Sequence, residues 1–126
     1  GSVLSQAFFI GGSFHKGEKM ANSKILVVED QKNITSKIRN RLKILGYPAL
    51  TTASSGKEAI KKAEMFHPDL VLINIQLKGE VNGVKAAKQI YDRFDIPVVY
   101  LMEDADEEIL RDERVIEPFY YILKPW

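Results

Sequence analysis

Cysteine is absent from all 126 residues. That excludes disulfides, thiol catalysis and thiolate-held zinc, and it is compatible with a reducing compartment. Long apolar runs are absent as well, since none approaches the roughly 20 residues that a helix needs to cross a bilayer. Ala7-Phe8-Phe9-Ile10 is too short for a signal-peptide core, and no basic residue precedes it. No charge of one sign dominates, with 18 basic and 17 acidic side chains giving a net +1. Bulk charge therefore gives no reason to expect nucleic acid or a membrane as partner. Glycine-rich phosphate loops of the P-loop or dinucleotide type do not follow the first apolar run. Histidine is scarce: His15 lies near the N-terminus, and His67 precedes Pro68 with no triad partner. Both read as structural or solvated rather than catalytic. The expectation is a soluble cytoplasmic protein.

What is present is ordinary globular composition, 45% hydrophobic and 28% charged, at a length that suits one domain. Residues 1–19 differ from the rest. Gly1-Ser2 resembles a protease scar from an expression vector, and Gly11-Gly12-Ser13 reads as a flexible linker. We expect 1–19 to be a vector-derived or flexible leader and 20–126 to be the domain. A competing reading has Phe8-Phe9-Ile10 covering an apolar surface elsewhere.

Lys24–Val28 reads as a buried parallel strand ending in Glu29-Asp30. Ile34, Ile38, Leu42 and Leu45 then fall at helical spacing, and Gly46 stops the helix. Pro48–Ala53 is more polar and suits a sheet edge. Ser55-Gly56-Lys57-Glu58 has capping-box spacing and opens a helix expected to bury Ala59, Ile60, Ala63 and Phe66. Leu70–Ile75 is apolar except for Asn74, which marks a strand covered on both faces with a polar tip. Val84, Ala87, Tyr91 and Phe94 define a third helix, and Ile96–Leu101 a fourth strand. Asp104-Ala105-Asp106-Glu107 starts a fourth helix, and Phe119–Leu123 is the last strand. Alternating strands and helices predict an α/β fold with a parallel sheet. The flavodoxin-like doubly wound order 2-1-3-4-5 suits five strands.

In such sheets, ligands sit beyond the carboxyl ends of the strands. Three strand ends carry polar groups there: Glu29 and Asp30, then Asn74, then Lys124. Adjacent carboxylates suit magnesium, and a lysine opposite suits a phosphoryl oxygen. Taken alone, Asp30 reads as the N-cap of the first helix and Lys124 as a solvated side chain. Their joint placement favours a phosphoryl site.

These motifs resemble the receiver domain of two-component response regulators. Ile25–Asp30, Pro68–Asn74, Ile96–Val99 and Lys124-Pro125 match it in order, over about residues 23–126. The resemblance implies that Glu29 and Asp30 are the acidic pair of a magnesium site, to which Gln76 offers a backbone carbonyl. It implies that Lys124 pairs with the phosphoryl group and that Tyr121 is the aromatic switch. Tyr100 is grouped with Tyr121 as a partner-facing aromatic, with ordinary strand packing as the competing reading for both.

The departures carry more information than the matches. The family's phospho-acceptor is an aspartate, and here that position is Asn74. An amide is a poor nucleophile and removes one negative charge from the cation site, so magnesium is expected to bind weakly. The switch Ser or Thr position is Met102, which has no hydroxyl, and Glu103 follows where a small residue is usual. The family's fifth helix is expected to be lacking after Trp126. That would leave a last-strand face open to a partner or a homodimer.

The function expected is a regulatory receiver, not an enzyme, that meets a histidine kinase or another signalling protein and is not phosphorylated at Asn74. Glu103 is expected to pair with Lys124 and hold one conformation. An alternative is an ordinary phospho-accepting receiver blocked by an Asp-to-Asn change. A flavodoxin-like or haloacid-dehalogenase-like enzyme fits less well, since the Asp-x-Asp pattern is missing.

Overall fold

A computed structural model describes residues 23–47 and 50–102, and the strand 120–123. The sheet grows from runs with no polar residue to place in a core. Ile25–Val28 is β1, and all four residues are buried. Leu70–Asn74 is β3, and only its last residue is partly exposed. Val98–Met102 is β4, buried throughout. Leu50–Ala53 forms β2 and Tyr120–Leu123 forms β5. All pairs are parallel, in the order β2-β1-β3-β4-β5. The expected strand order is therefore observed. β2 begins at Leu50, and Pro48 lies outside the described residues.

Among the described residues, three helices cover the sheet: α1 (Lys32–Ile44), α2 (Gly56–Phe66) and α3 (Gly83–Phe94). Alternation along β1 sorts the core. Ile25 and Val27 meet Ile38 and Leu42 of α1, while Leu26 and Val28 meet Ala59 and Ala63 of α2. Ala86, Ala87 and Ile90 of α3 join the second cluster. Ala86 and Ile90 were not among the residues expected to face the core. Val84, Tyr91 and Phe94, which were, lie partly buried at its margin. Ala87, also expected, is fully buried, and the small alanines at the centre let helix and sheet approach closely.

Two local expectations need correction. Phe66 is 46% exposed, because α2 ends there and its ring lies outside the core. Asp30 does not cap α1, since the cap residue is Gln31, without a side-chain bond. The Ser55 cap is present, with Oγ accepting from the Glu58 N–H at 3.1 Å. The return arm shifts by one residue, and the Ser54 N–H donates to Glu58 Oε1 at 2.6 Å.

That bond, with the Ser54 hydroxyl and Lys62 beside it, holds the Glu58 carboxyl below its usual range. A depressed carboxyl stabilises the fold above its unfolded pKa, and that contribution is lost as pH falls through the folded value. Ser55→Ala is expected to destabilise by about 1 kcal/mol. Urea unfolding should also show Glu58→Gln weakening the protein at neutral pH but not well below the ordinary carboxylate range.

Candidate functional site

The site forms where β1 and β3 end side by side. Their register pairs Val28 with Ile73, so the next residues, Glu29 and Asn74, are neighbours across the two strands. The Asn74 amide nitrogen donates to Glu29 Oε1 at 3.1 Å. Glu29 Oε2 accepts from the Gln31 N–H at 3.0 Å. Asn74 Oδ1 accepts from the Gln76 N–H at 2.8 Å. This last bond fixes the amide orientation. Turning the amide over would set its NH₂ against the Gln76 N–H, donor against donor.

Glu29 is 4% exposed. Burial pushes its carboxyl above the ordinary range, and the adjoining Asp30 carboxyl pushes the same way. Loss of hydration is the larger cause, because a buried carboxylate loses solvation that one or two hydrogen bonds only partly replace. Asp30 itself is exposed, as is Gln76.

The loop after β3 is tied down from both sides. The Ile75 N–H donates to the Leu101 carbonyl at 3.1 Å, and the Leu77 N–H to the Asn74 carbonyl at 3.1 Å. Ile75 and Leu77 are buried. The Gly83 N–H returns to the Leu77 carbonyl at 3.1 Å, and Asn82 Oδ1 accepts from the Lys85 N–H at 2.9 Å to cap α3. A methyl at Gly83 would collide with the Asn74 carbonyl and lie 2.9 Å from that of Ile75. A methyl at Gly56 would collide with the Val81 carbonyl. Two glycines thus let α2 and α3 close on the loop. Lys57 and Glu80 add a solvent-exposed ion pair at 3.3 Å, of the kind that contributes little.

The structure brings Glu29 and Asn74 into contact, with Asp30 beside Glu29 and Gln76 bonded through its N–H. It does not bring Met102 or Tyr100 to an exposed site. Each is 1% exposed and packs in the α2–α3 core cluster, as the alternation of β4 requires. Burial also raises the Tyr100 phenol above its ordinary range. Tyr100 is therefore a core residue and not a surface for partners. Tyr121 lies opposite Tyr100 in the β4–β5 register. Glu103, Lys124, the leader, the fourth helix and the expected last-strand dimer face lie outside the described residues.

Gly83, Gly56 and Gln31 were not singled out in advance. The Asn82-Gly83 dipeptide reads as a turn, and nothing in it announces a close helix–strand approach. Among the described residues, no helix is long and apolar enough to cross a membrane. No group of three or more His, Cys, Asp or Glu among them is placed to hold a metal.

A parallel five-stranded sheet of this order, with acidic residues at the tip of β1 beside a polar residue at the tip of β3, defines a receiver-like α/β domain. The response regulator receiver domain profile matches residues 25–126, and the chain belongs to that family. It is 33% identical over 106 residues to the alkaline phosphatase synthesis transcriptional regulatory protein PhoP of Bacillus subtilis, covering 78% of this chain and 43% of that protein. It is 27% identical to the transcriptional regulatory protein PdtaR of Mycobacterium tuberculosis, over 82% of this chain and 50% of that one. The chain thus spans about half the length of the curated relatives it matches.

Among solved structures, the receiver domain of a modulated diguanylate cyclase from Desulfovibrio desulfuricans superposes with a TM-score of 0.73 at 30% identity, covering 82% of each chain. The PhyR receiver domain of Erythrobacter litoralis gives 0.69 at 30% identity, over 82% of this chain and 79% of that one. The family's members are regulatory proteins of two-component signalling, and receiver domains meet kinases and other signalling proteins.

Proposed function

We propose that this receiver regulates by protein contact without carrying an aspartyl phosphate. The observation that supports this reading is the Asn74 amide, held between Glu29 and the Gln76 N–H. A carboxylate at this position would attack phosphorus through an anionic oxygen. The amide oxygen carries no such charge and already accepts a hydrogen bond. The amide N–H also donates to Glu29 Oε1, so that carboxylate oxygen already has a partner. The donor set of two carboxylates and one amide therefore fits magnesium poorly. Kinases or other signalling proteins are the proposed partners, and a histidine kinase would act as a binding partner here and not as a phosphate source.

The test is incubation with a small acyl-phosphate donor and magnesium, read by intact mass. The unmodified protein is expected to gain no base-labile phosphate adduct. An adduct on it overturns the proposal. The Asn74→Asp variant tells the two readings apart. Ready phosphorylation of that variant supports an ordinary receiver blocked at a single position. Its failure to accept phosphate fits a site that has lost more than its nucleophile, as Met102 and Glu103 indicate.

A further inference from the structure

β2 is the outer strand of the sheet beyond β1, and Leu50, Thr51 and Thr52 are all partly exposed. The Glu29 N–H donates to the Ala53 carbonyl at 3.0 Å, so the backbone groups of Ala53 face β1. Backbone groups alternate along a strand, so those of Thr52 and Leu50 face outward. The outward Thr52 carbonyl is taken by Lys62 Nζ at 2.5 Å. Lys62 also meets Glu58 at 3.4 Å. The lysine ammonium thus stands where a neighbouring strand would place its backbone N–H.

Lys62 is the meeting point of three depressions along this edge, of about 610, 390 and 90 Å³. Their chemistry differs between the two faces of the sheet. On the α1 side the groove is polar and carries Lys32, Thr35, Ser36 and Arg39. On the α2 side it carries Met65 and Phe66, which are 60% and 46% exposed, with Lys61 beside them. Acids are present too: Glu29, Asp30 and Glu58 line the α1-side groove, with Glu58 already paired to Lys62.

We propose that the β2 edge is a docking site for an extended segment of a partner protein, with acidic side chains at alternate positions and apolar ones between them. Side chains of an added strand point to opposite faces in turn. Acids would meet Lys32 and Arg39 on one face, and apolar groups would cover Met65 and Phe66 on the other. The strand's N–H would replace the Lys62 ammonium on Thr52, freeing that lysine for an incoming carboxylate.

A second copy of this chain fits less well. Antiparallel pairing of two β2 edges would set α1 beside its own copy on the same face. That helix holds Lys32, Lys37, Arg39, Arg41 and Lys43 and no acidic residue, so like charges would face each other.

The test is titration of the full chain with a fluorescent hexapeptide of alternating glutamate and valine, followed by anisotropy and backbone amide NMR. Saturable binding is expected, with shifts centred on residues 50–54. It should weaken roughly tenfold in the paired Lys32→Glu, Arg39→Glu variant. Thr52→Pro is expected to abolish it. Its N–H faces outward, so the ladder to β1 is kept and the fold can be verified by the same spectra. Several results would each overturn the proposal. They are no binding at millimolar peptide, equal binding by a lysine–valine peptide, or binding unchanged by Thr52→Pro. Tighter binding of a single-stranded oligonucleotide to the same residues would do so too, as would occupation of the edge by a second copy or by residues 1–22.

Discussion

Asn74→Asp is expected to lower stability by about 2–4 kcal/mol in metal-free buffer at neutral pH, and magnesium is expected to restore most of it. The substitution replaces a donor with an acceptor. The 3.1 Å contact with Glu29 Oε1 changes from amide–carboxylate to carboxylate–carboxylate. Loss of a hydrogen bond to a charged group is worth about 1.5–3 kcal/mol. Two like charges at that distance add repulsion of about 5 kcal/mol at an effective dielectric near 20, an upper bound that protonation or solvent relieves.

The pH dependence has a definite sign. The new pair lifts one carboxyl pKa in the folded state, so the folded protein binds more protons than the unfolded chain above the ordinary carboxylate range. The variant should therefore approach the parent in acid and fall behind as pH rises through that window. Magnesium supplies the missing positive charge. At a hundredfold excess over its Kd, a ligand adds about 2.7 kcal/mol. The parent should gain much less, because the Asn74 amide already offers its N–H to Glu29. Urea unfolding with and without magnesium decides the matter. Equal stabilisation of the two proteins would show that Asn74 does not weaken magnesium binding.

Gly83→Ala is expected to be worse for the fold than its small size suggests, at about 3 kcal/mol or more. Helix propensity alone would favour alanine by up to about 1 kcal/mol. Sterics win here, because the new methyl would collide with the Asn74 carbonyl and crowd that of Ile75. Neither atom is the end of a flexible side chain. Either α3 moves outward or the tip of β3 moves, and the second choice breaks the Asn74 contacts. Thermal unfolding measures the loss, and amide NMR of residues 74–77 tells which side gave way. A variant as stable as the parent would show that the helix is free to slide.

Much of this was legible in the sequence. Leu70–Ile73 and Ile25–Val28 are apolar without interruption, and their shortness and β-branched content suit a strand buried on both faces. The 2-1-3-4-5 order came with the family resemblance, since periodicity says nothing of neighbours. The Glu29–Asn74 pairing was half legible: both positions could be placed at strand tips, but only the register makes them touch. The direction of the amide was not legible, because it depends on the Gln76 backbone. Met102 and Tyr100 show the opposite failure. Met102 was placed at the switch position and Tyr100 at a partner-facing one with strand packing as the competing reading; β4 is buried on both faces, so both side chains lie in the core.

One consequence concerns where motion can enter this domain. β1 is hydrogen-bonded on both edges and covered on both faces, and Glu29 follows directly from its last residue. Such a strand opens only with the whole fold, so its amides should be among the slowest to exchange with deuterium. Glu29 is thus a fixed post. Asn74 is the last residue of β3 and pairs with Leu101, and only beyond the buried Leu77 does the chain run out to exposed residues 78–80. Any rearrangement that carries a signal past this site should therefore move the exposed 78–80 segment, while the acid and the tip of β3 stay where they are.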